Sequence, residues 1–400
     1  MNYKLKLSHL LKKANQYFYI GYDFLCKPKA SIDINKKKII FLGEFFPVRI
    51  QRLAELIKSE IISYEIVLYI SDWGNEPKLI GNHFDRVVVY RNSFHLLNLF
   101  KTEENILLIH SFEPKAFFQN KILKLHKAPF LYDIQDITIN YYGLNPPLKW
   151  QKTNLIYENL ILKNADGFVS QSLELKEAFR QHQIKNTKPS LFFPLYCNSK
   201  NFFPVVKRSS PYNKLVYIGG INSIDDSSSI SNFLPFLNQI KDTNLSLTIF
   251  PSPLSEIHFY KMYKIIEHKF NNFEIKKSVP FTQINLTDYH FGVVPFEHPK
   301  CEEYLSKNRY ASSMKVFVYI EMGIPIIVSE YWGFLSWIVK RYNLGIVCNY
   351  DSLNNLDELI ENTDYNKILE NISVFRKKYD LWNQRQKLFD FYNLFNSEIM

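Results

Sequence analysis

Residues 312–330, SSMKVFVYIEMGIPIIVSE, contain a junction between a helix and a strand that constrains the fold more than any other stretch of the chain. A serine at the start can cap the helix, and Gly323 stands where a left-handed residue is preferred after a helix. Pro325 prevents the helix from resuming. Residues 324–329 are apolar without alternation, which is typical of a parallel strand covered on both faces. The stretch therefore predicts an α/β domain built on a parallel sheet.

Lys315 lies in the first turn of this predicted helix, where the positive end of the helix dipole disfavours a cation. A bound phosphate would reverse that penalty, because the backbone N–H groups and the lysine would both face an anion. The alternative is a solvated surface lysine. Lys315 is therefore a candidate for phosphate binding.

Buried strands alternate with helical segments along most of the chain, which indicates parallel sheets wrapped by helices on both faces. A first set of strands is predicted at residues 37–43, 64–70, 86–90, 106–110, 130–134, 167–170 and 190–193. A second set is predicted at residues 214–219, 245–250, 273–276, 289–295, 324–329 and 345–348. The polar stretch 198–213 contains two prolines and reads as a linker. We therefore expect one domain at residues 37–200, a second at 201–371, and a final long helix within 372–400.

Length, charge and cysteine usage limit the classes of protein that fit. A chain of 400 residues is too long for one compact core and suits two domains. Its net charge of +10 suits an anionic partner. The 4 cysteines form no C-x-x-C pair, which favours a reducing compartment and argues against zinc. No apolar run is long enough for a membrane span and no signal peptide is evident, so we expect a cytoplasmic protein.

Residues 1–36 form a basic, loosely amphipathic N-terminal segment in which leucines and aromatic residues alternate with lysines. A helix of this composition can lie on an anionic bilayer. It can equally pack on the domain that follows. Peripheral contact with the inner face of a membrane is therefore an expectation with a structural alternative.

The helix-to-strand junction resembles the K-x-x-E-Y-x-x-x-G-x-P-V-V-x-S signature of GT-B glycosyltransferases of the family-4 type. The matching positions are Lys315, Tyr319, Gly323, Pro325, Val328 and Ser329. The resemblance implies a GT-B fold, with two Rossmann-like doubly wound domains facing a central cleft and a C-terminal helix that crosses back to the first domain. Two glutamates of the family are replaced here, by Tyr310 and Val318. Glu321, one turn further along, is the candidate to substitute for the glutamate that contacts the donor ribose.

A nucleotide-sugar donor is assigned to the second domain by this resemblance. Gly219 and Gly220 follow the first strand of that domain, and glycines there let the backbone approach a pyrophosphate, although a tight turn is equally compatible. The pattern is not G-x-G-x-x-G and has no acidic partner, which excludes a dehydrogenase. The resemblance further places Phe281 in the loop that lies against the donor base, where it would stack on the base, with a role in the core as the alternative. It places Phe296 in the segment that reaches the sugar and phosphate.

The acceptor is assigned to the first domain. Asp136 ends the segment FLYDIQD, which resembles the family's Y-D-x-H-D segment and would supply a general base or orient the acceptor. A helix cap or turn former is the alternative, and His110 is the second catalytic candidate. No D-x-D pair or metal constellation is present in the sequence, so neither a metal nor a cofactor is expected, the nucleotide-sugar being a substrate.

The sequence thus predicts a metal-independent glycosyltransferase that moves a sugar from a nucleotide-sugar donor to a glycan or lipid-linked acceptor in cell-surface polysaccharide biosynthesis. The missing glutamates leave a rival open, a non-catalytic GT-B subunit that stabilises a partner transferase. A sugar-nucleotide epimerase of the same fold is a further alternative. Nucleic-acid binding is disfavoured, because the basic residues are dispersed and belong to no recognised motif.

Overall fold

The computed structural model describes residues 36–43, 48–60, 64–72, 83–112, 116–226, 229–252, 257–279, 283–296 and 305–397. The predicted N-terminal segment, apart from its last residue, and the predicted base contact Phe281 lie outside these ranges. Within them, the chain forms two parallel sheets, one in each half.

The first sheet has the strand order β3-β2-β1-β4-β5-β6-β7, and neighbouring strands pair in parallel. Its strands are β1 Lys38–Gly43, β2 Glu65–Ser71, β3 Arg86–Tyr90, β4 Ile106–Ser111, β5 Phe130–Ile134, β6 Gly167–Ser170 and β7 Ser190–Phe192. The helices of this half are α1 Val48–Glu60, α2 Ser93–Lys101, α3 Ala116–Leu125, α4 Thr138–Tyr142, α5 Lys149–Asn164 and α6 Glu174–Gln181. Every residue of β1 is buried, as its unbroken apolar run predicts for a strand covered on both faces.

The second sheet has the strand order β10-β9-β8-β11-β12-β13 and is also parallel. Its strands are β8 Lys214–Gly219, β9 Ser246–Pro251, β10 Phe273–Ile275, β11 Phe291–Val293, β12 Ile326–Ser329 and β13 Gly345–Cys348. The helices are α7 Leu234–Ile240, α8 Ile257–Glu267, α9 Leu305–Tyr310, α10 Met314–Glu321, α11 Gly333–Tyr342, α12 Leu356–Glu361 and α13 Tyr365–Lys378. Short 3-10 helices occur at Ser199–Asn201, Tyr350–Asn355 and Leu381–Gln384.

Each sheet is covered by apolar clusters on both faces. In the first half, helices α2, α3, α5 and α6 bury one face and α1 the other. In the second half, α7, α8 and α12 cover one face and α10 and α11 the other. This arrangement confirms the prediction of two doubly wound Rossmann-like domains.

The helix-to-strand junction forms as predicted, with α10 followed by β12. Gly323 adopts the left-handed conformation, with φ of 70°, and a side chain at this position would meet the backbone of Val205. Ser313 is the N-cap residue, but its hydroxyl makes no capping hydrogen bond. The glycine therefore ends α10 as predicted, whereas the serine at its start does not cap it through its side chain.

The chain returns to the first domain at its C-terminus. The sequence predicts one helix over residues 372–395, whereas the structure has two, α13 and α14 Arg385–Asn393, separated by the 3-10 turn. The break occurs where the chain passes between domains, beside Cys197: Cys197 N–H donates to Tyr379 O at 3.0 Å, and Leu381 N–H donates to Cys197 O. Helix α14 then contributes Leu388, Phe389, Phe391 and Tyr392 to the core of the first domain.

Candidate functional site

The carboxyl end of β8 is closely covered by the predicted phosphate-binding lysine. Gly219 ends β8 with φ of 144°, and a Cβ built on it would lie 2.3 Å from Cε of Lys315. This backbone conformation favours glycine, and the absence of a side chain leaves the lysine room to cross the strand end. Gly220, in contrast, is exposed and has no neighbour within 4 Å of a built Cβ. The structure thus brings Gly219 and Lys315 together and leaves Gly220 open beside them.

Lys315 is a cation without a carboxylate partner among the ion pairs of the described residues. Its Nζ lies 5.5 Å from the centre of the Tyr217 ring. Burial and the charge of Lys307 lower the pKa of Lys315 to about 8. A charged group held under these conditions favours a bound anion, because an anion would offset both the desolvation and the repulsion between the two lysines.

Lys307, on α9, connects the second domain to Asp136 of the first. Its Nζ lies 2.9 Å from Oδ1 of Asp136 and 3.5 Å from the centre of the Tyr141 ring. The Tyr141 hydroxyl also donates to Oδ1 of Asp136, at 3.1 Å. Asp136 keeps 57% of its side chain exposed, so it remains accessible to a ligand despite this pairing.

A cavity of about 290 Å³ lies beside this pair and is lined by both domains. Its walls are polar apart from Ile230, and consist of Tyr141, Asn222, Asp226, Ser229, Ile230, Ser231, Lys307 and Asn308. Asn308 is 1% exposed and its Nδ2 has no hydrogen-bond partner. A buried amide left unpaired is costly unless a ligand or water meets it, so the cavity suits a molecule with hydroxyl or phosphate oxygens.

Helix α9 also contacts α6 of the first domain, through a hydrogen bond from Leu173 N–H to Tyr310 O at 3.1 Å. Beside it lies Glu174, which is 1% exposed and whose Oε1 is unpartnered. Burial and the charge of Asp136 raise the pKa of this carboxyl well above its ordinary value. Glu174 is therefore a second acidic group near the cavity.

His110 and Glu321 are placed elsewhere. His110 is fully buried; its Nε2 lies 3.1 Å from Asp133 and its Nδ1 lies 2.5 Å from the Tyr392 hydroxyl, and burial lowers its pKa. Asp133 in turn accepts from Arg49 at 2.8 Å. This network ties β4 and β5 to α14, which is a structural arrangement rather than one poised to deprotonate an acceptor.

Glu321 lies at the end of α10 and is fully buried. It pairs with Arg52 of the first domain at 2.7 Å and accepts from Asn198 N–H at 2.7 Å. Burial raises the pKa of Glu321, and Arg52 and the backbone N–H of Asn198 oppose that rise. Both carboxylate oxygens are thus engaged at the domain junction, so the structure corrects the assignment of Glu321 to the donor ribose.

Phe296 is 6% exposed and packs on Phe236 at a ring distance of 5.7 Å. It belongs to the core rather than to an open pocket. The described part of the chain contains no group of three or more His, Cys, Asp or Glu residues that could hold a metal. It also contains no helix long and apolar enough to cross a bilayer.

Sequence reasoning missed Lys307, Tyr141, Asn308 and Glu174. The long polar stretch 297–313 was a usable signal for Lys307 and Asn308, because loops of that length at a strand end usually carry function. Glu174 had a weaker signal, as an acidic residue in the first turn of a helix is common for dipole reasons alone.

Comparison with proteins of known structure identifies the architecture. HepE from Anabaena, solved with UDP-glucose, superposes with a TM-score of 0.65 at 13% identity, over 88% of this chain and 98% of that one. Sucrose-phosphate synthase from Thermosynechococcus elongatus superposes with a TM-score of 0.67 at 13% identity, over 91% of this chain and 100% of that one. The chain has the GT-B fold.

Two further comparisons refine this result. A glycosyltransferase from Rickettsia africae superposes with a TM-score of 0.60 at 13% identity, over 90% of this chain and 99% of that one. Residues 236–380 match the family model for the C-terminal domain of glucosyltransferase 3-like proteins. No curated protein matches the chain in sequence. The predicted GT-B architecture is confirmed, while the family-4 assignment stays a prediction.

Proposed function

We propose that this chain is a glycosyltransferase that takes a hexose from a nucleotide-sugar donor and passes it to a glycan or lipid-linked acceptor in cell-surface polysaccharide biosynthesis. The observation that carries the proposal is Lys315, a cation without a carboxylate partner in the described structure, which lies on Gly219. Its charge interacts with that of Lys307, which lines a cavity to which both domains contribute. The glucosyltransferase 3-like match over residues 236–380 and the UDP-glucose bound by HepE support a uridine donor and a hexose.

In this proposal the donor diphosphate lies against Gly219, Gly220 and the first turn of α10. Lys315 and Lys307 stabilise the charge that develops on the leaving diphosphate, since preorganised cations in a partly dry site are effective there. They do so without requiring a metal. The sugar occupies the cavity, where Asn308 provides an amide for its hydroxyl groups.

Asp136 acts on the acceptor from the opposite domain, and the pairing with Lys307 and Tyr141 holds it at the cavity. If Asp136 is the general base, Asp136→Asn lowers turnover by roughly 10² to 10⁴. If Asp136 only forms a turn, the asparagine retains near-normal turnover.

The test measures UDP release from UDP-glucose by the purified chain with a panel of glycan acceptors, for the wild type and Asp136→Asn. Absence of turnover in the wild type, together with absence of UDP binding by calorimetry, would contradict the proposal. Lys340→Gln, on the exposed last turn of α11, serves as a matched surface control.

A second candidate is a non-catalytic GT-B subunit that stabilises a partner transferase. It is favoured by the two positions where the signature glutamates are missing: Val318 is 4% exposed in the core, and Tyr310 contributes a backbone carbonyl to a contact between domains. Such a subunit would show no turnover alone. The epimerase alternative would show turnover without any acceptor, and the same assay distinguishes it.

A further inference from the structure

Helices α3 and α5 pack side by side on one face of the first sheet and expose a surface of unusual charge. Together they contain the exposed lysines Lys121, Lys124, Lys149, Lys152 and Lys163. Their single acidic residue, Glu158, is 3% exposed and is held by His182 and by the backbone N–H groups of Thr138 and Ile139. The exposed surface of both helices, here called the α3–α5 face, thus carries lysines and no exposed acidic side chain.

Large apolar side chains are exposed on these helices and in the segment that precedes α5. Trp150 is 52% exposed and Ile156 is 62% exposed. Leu125, Leu144 and Leu148 are 42%, 60% and 49% exposed. Lys149, Lys152, Ile156 and Lys163 follow a helical repeat that puts them on one side of α5, opposite its buried residues Leu155, Ile161 and Leu162. Tryptophan and aliphatic side chains mixed with lysines are the composition of helices that lie in a membrane interface.

The surface around α12 in the second domain has the opposite character. Its exposed side chains include Asp351, Glu358, Glu361 and Asp364. An anionic surface would repel this region and attract the α3–α5 face. At an anionic surface, this difference favours contact through the α3–α5 face over contact through the surface around α12.

A run of aromatic rings connects the α3–α5 face to the cavity. Trp150 lies 5.7 Å from Tyr142, edge to face, and Tyr142 stacks on Tyr141 at 5.7 Å. Tyr141 lines the cavity and contacts Lys307. A molecule anchored at the α3–α5 face would therefore reach the candidate site past only three rings.

We propose that the α3–α5 face docks on an anionic lipid bilayer and presents the cavity to a lipid-linked acceptor in that bilayer. The docking stands on exposure and charge alone, whereas the identity of the acceptor rests on the proposed function. The sequence assigned membrane contact to the N-terminal segment, so the α3–α5 face is a separate surface. A soluble glycan that stacks on the same rings, and a face occupied by residues 1–35, are the competing outcomes of the test.

The experiment is sedimentation of the full chain with vesicles of phosphatidylcholine containing 30% phosphatidylglycerol, at low salt. The variant Lys149→Gln/Lys152→Gln/Lys163→Gln removes three charges from the α3–α5 face. Because one lysine near an anionic surface contributes about fivefold in affinity, we expect a loss of about 100-fold. Trp150→Ser should lose about tenfold, since an interfacial tryptophan anchors the helix.

The matched control is Lys241→Gln/Lys340→Gln/Lys377→Gln, which removes the same charge from exposed positions in the second domain. It should lose less than threefold. Equal losses in both triple variants, or binding by the wild type that is equally strong on neutral vesicles, would overturn the proposal. So would full loss of binding on deletion of residues 1–35 with no effect of the α3–α5 substitutions.

UDP binding by the same variants separates this proposal from the proposed function. Neither triple variant touches the candidate site, so UDP affinity should stay within twofold of the wild type. If the wild type fails to bind UDP but sediments with anionic vesicles through the α3–α5 face, the docking stands and the proposed function fails. If a soluble glycan fragment displaces the protein from vesicles and quenches Trp150 fluorescence, the face is a glycan platform and the bilayer proposal is wrong.

Discussion

The polar residues at the two ends of helix α10 have different surroundings, although the sequence analysis assigns both residues to the donor site. At the start, Lys315 lies over Gly219 and has no carboxylate partner within the described structure. At the end, Glu321 is fully buried and paired with Arg52 of the other domain at 2.7 Å. One helix thus has an unpaired cation at its start, which the proposed function assigns to the donor, and an ion pair between the two domains at its end. A sequence signature identifies the helix but does not say which of its polar residues face solvent.

The largest effect should come from breaking the end of α10. Glu321→Ala leaves the Arg52 guanidinium buried without its partner, and breaking a buried ion pair costs about 3–5 kcal/mol. Urea unfolding monitored by tryptophan fluorescence measures the loss. The double variant Arg52→Met/Glu321→Leu should recover most of it, because an apolar pair of similar volume carries no desolvation cost. If Glu321→Ala lowered UDP affinity more than tenfold while the unfolding free energy stayed unchanged, Glu321 would contact the donor and not stabilise the domain junction.

The next effect concerns the start of α10. Lys315→Ala should weaken UDP binding by about 1–3 kcal/mol, the usual contribution of a charged hydrogen bond in a site. Its unfolding free energy should not fall, because the substitution removes a charge from a desolvating position. Isothermal calorimetry with UDP gives the affinity, and Lys340→Ala on α11 is the control. Unchanged UDP affinity in a folded Lys315→Ala protein would remove the lysine from the donor site.

The pH dependence of UDP binding should follow the same lysine. Burial and Lys307 lower the pKa of Lys315 from its ordinary value of 10.5 to about 8. A bound anion favours the protonated form, so binding is strongest below pH 8 and weakens as the lysine loses its proton. Between pH 7 and pH 9 the dissociation constant should rise by up to about tenfold, one pKa unit being worth a factor of ten. Lys315→Met should abolish this rise, and a pH profile that persists in that variant would show that another group titrates.

The same shift has a consequence for stability with a defined sign. The folded state binds the proton on Lys315 less tightly than the unfolded chain does. The free energy of unfolding should therefore increase as the pH rises from about 8 toward 10.5 through this group. A difference between wild type and Lys315→Met that is the same at pH 7.5 and pH 9.5 would contradict this assignment.

The smallest effect should come from the pair that joins the domains across the cavity. Asp136 is largely exposed, and exposed ion pairs contribute about 0–1 kcal/mol. Asp136→Asn releases Lys307 toward a donor phosphate, so UDP affinity should rise by less than about fivefold. Lys307→Ala should remove that gain when the two substitutions are combined. A tenfold loss of UDP affinity in Asp136→Asn would show that the carboxylate itself contacts the donor.

The fold could be predicted because buried parallel strands are marked locally. Strands such as β1 and β12 have apolar runs that need no knowledge of their neighbours, and Gly323 and Pro325 mark a helix end by their own backbone preferences. The prediction of a single final helix was wrong, because hydrogen bonds to Cys197, far away in the chain, impose the break between α13 and α14.

The site was less predictable, because its decisive contacts join distant segments. Glu321 meets Arg52 across 269 residues and His110 meets Tyr392 across 282 residues. No local pattern indicates which buried partner such a residue will find. Lys315 and Gly219 could be predicted as candidates because both follow from general rules for helix starts and strand ends, and the structure brings the two together. The contact between Lys307 and Asp136 depends on how the two domains face each other, and no local sequence pattern indicates that orientation.

The crossing of helix α14 also affects the order in which the protein can be made. Its residues Leu388, Phe389, Phe391 and Tyr392 belong to the apolar core of the first domain, most of which consists of residues synthesised much earlier. While the second domain is being translated, one face of the first sheet therefore still exposes the side chains that α14 will cover. Domains that emerge first generally fold first, but this one cannot complete its core until α14 leaves the ribosome. Completion of the first domain therefore follows synthesis of the second, and a chain that loses α14 would leave the first domain, rather than the second, with an open core.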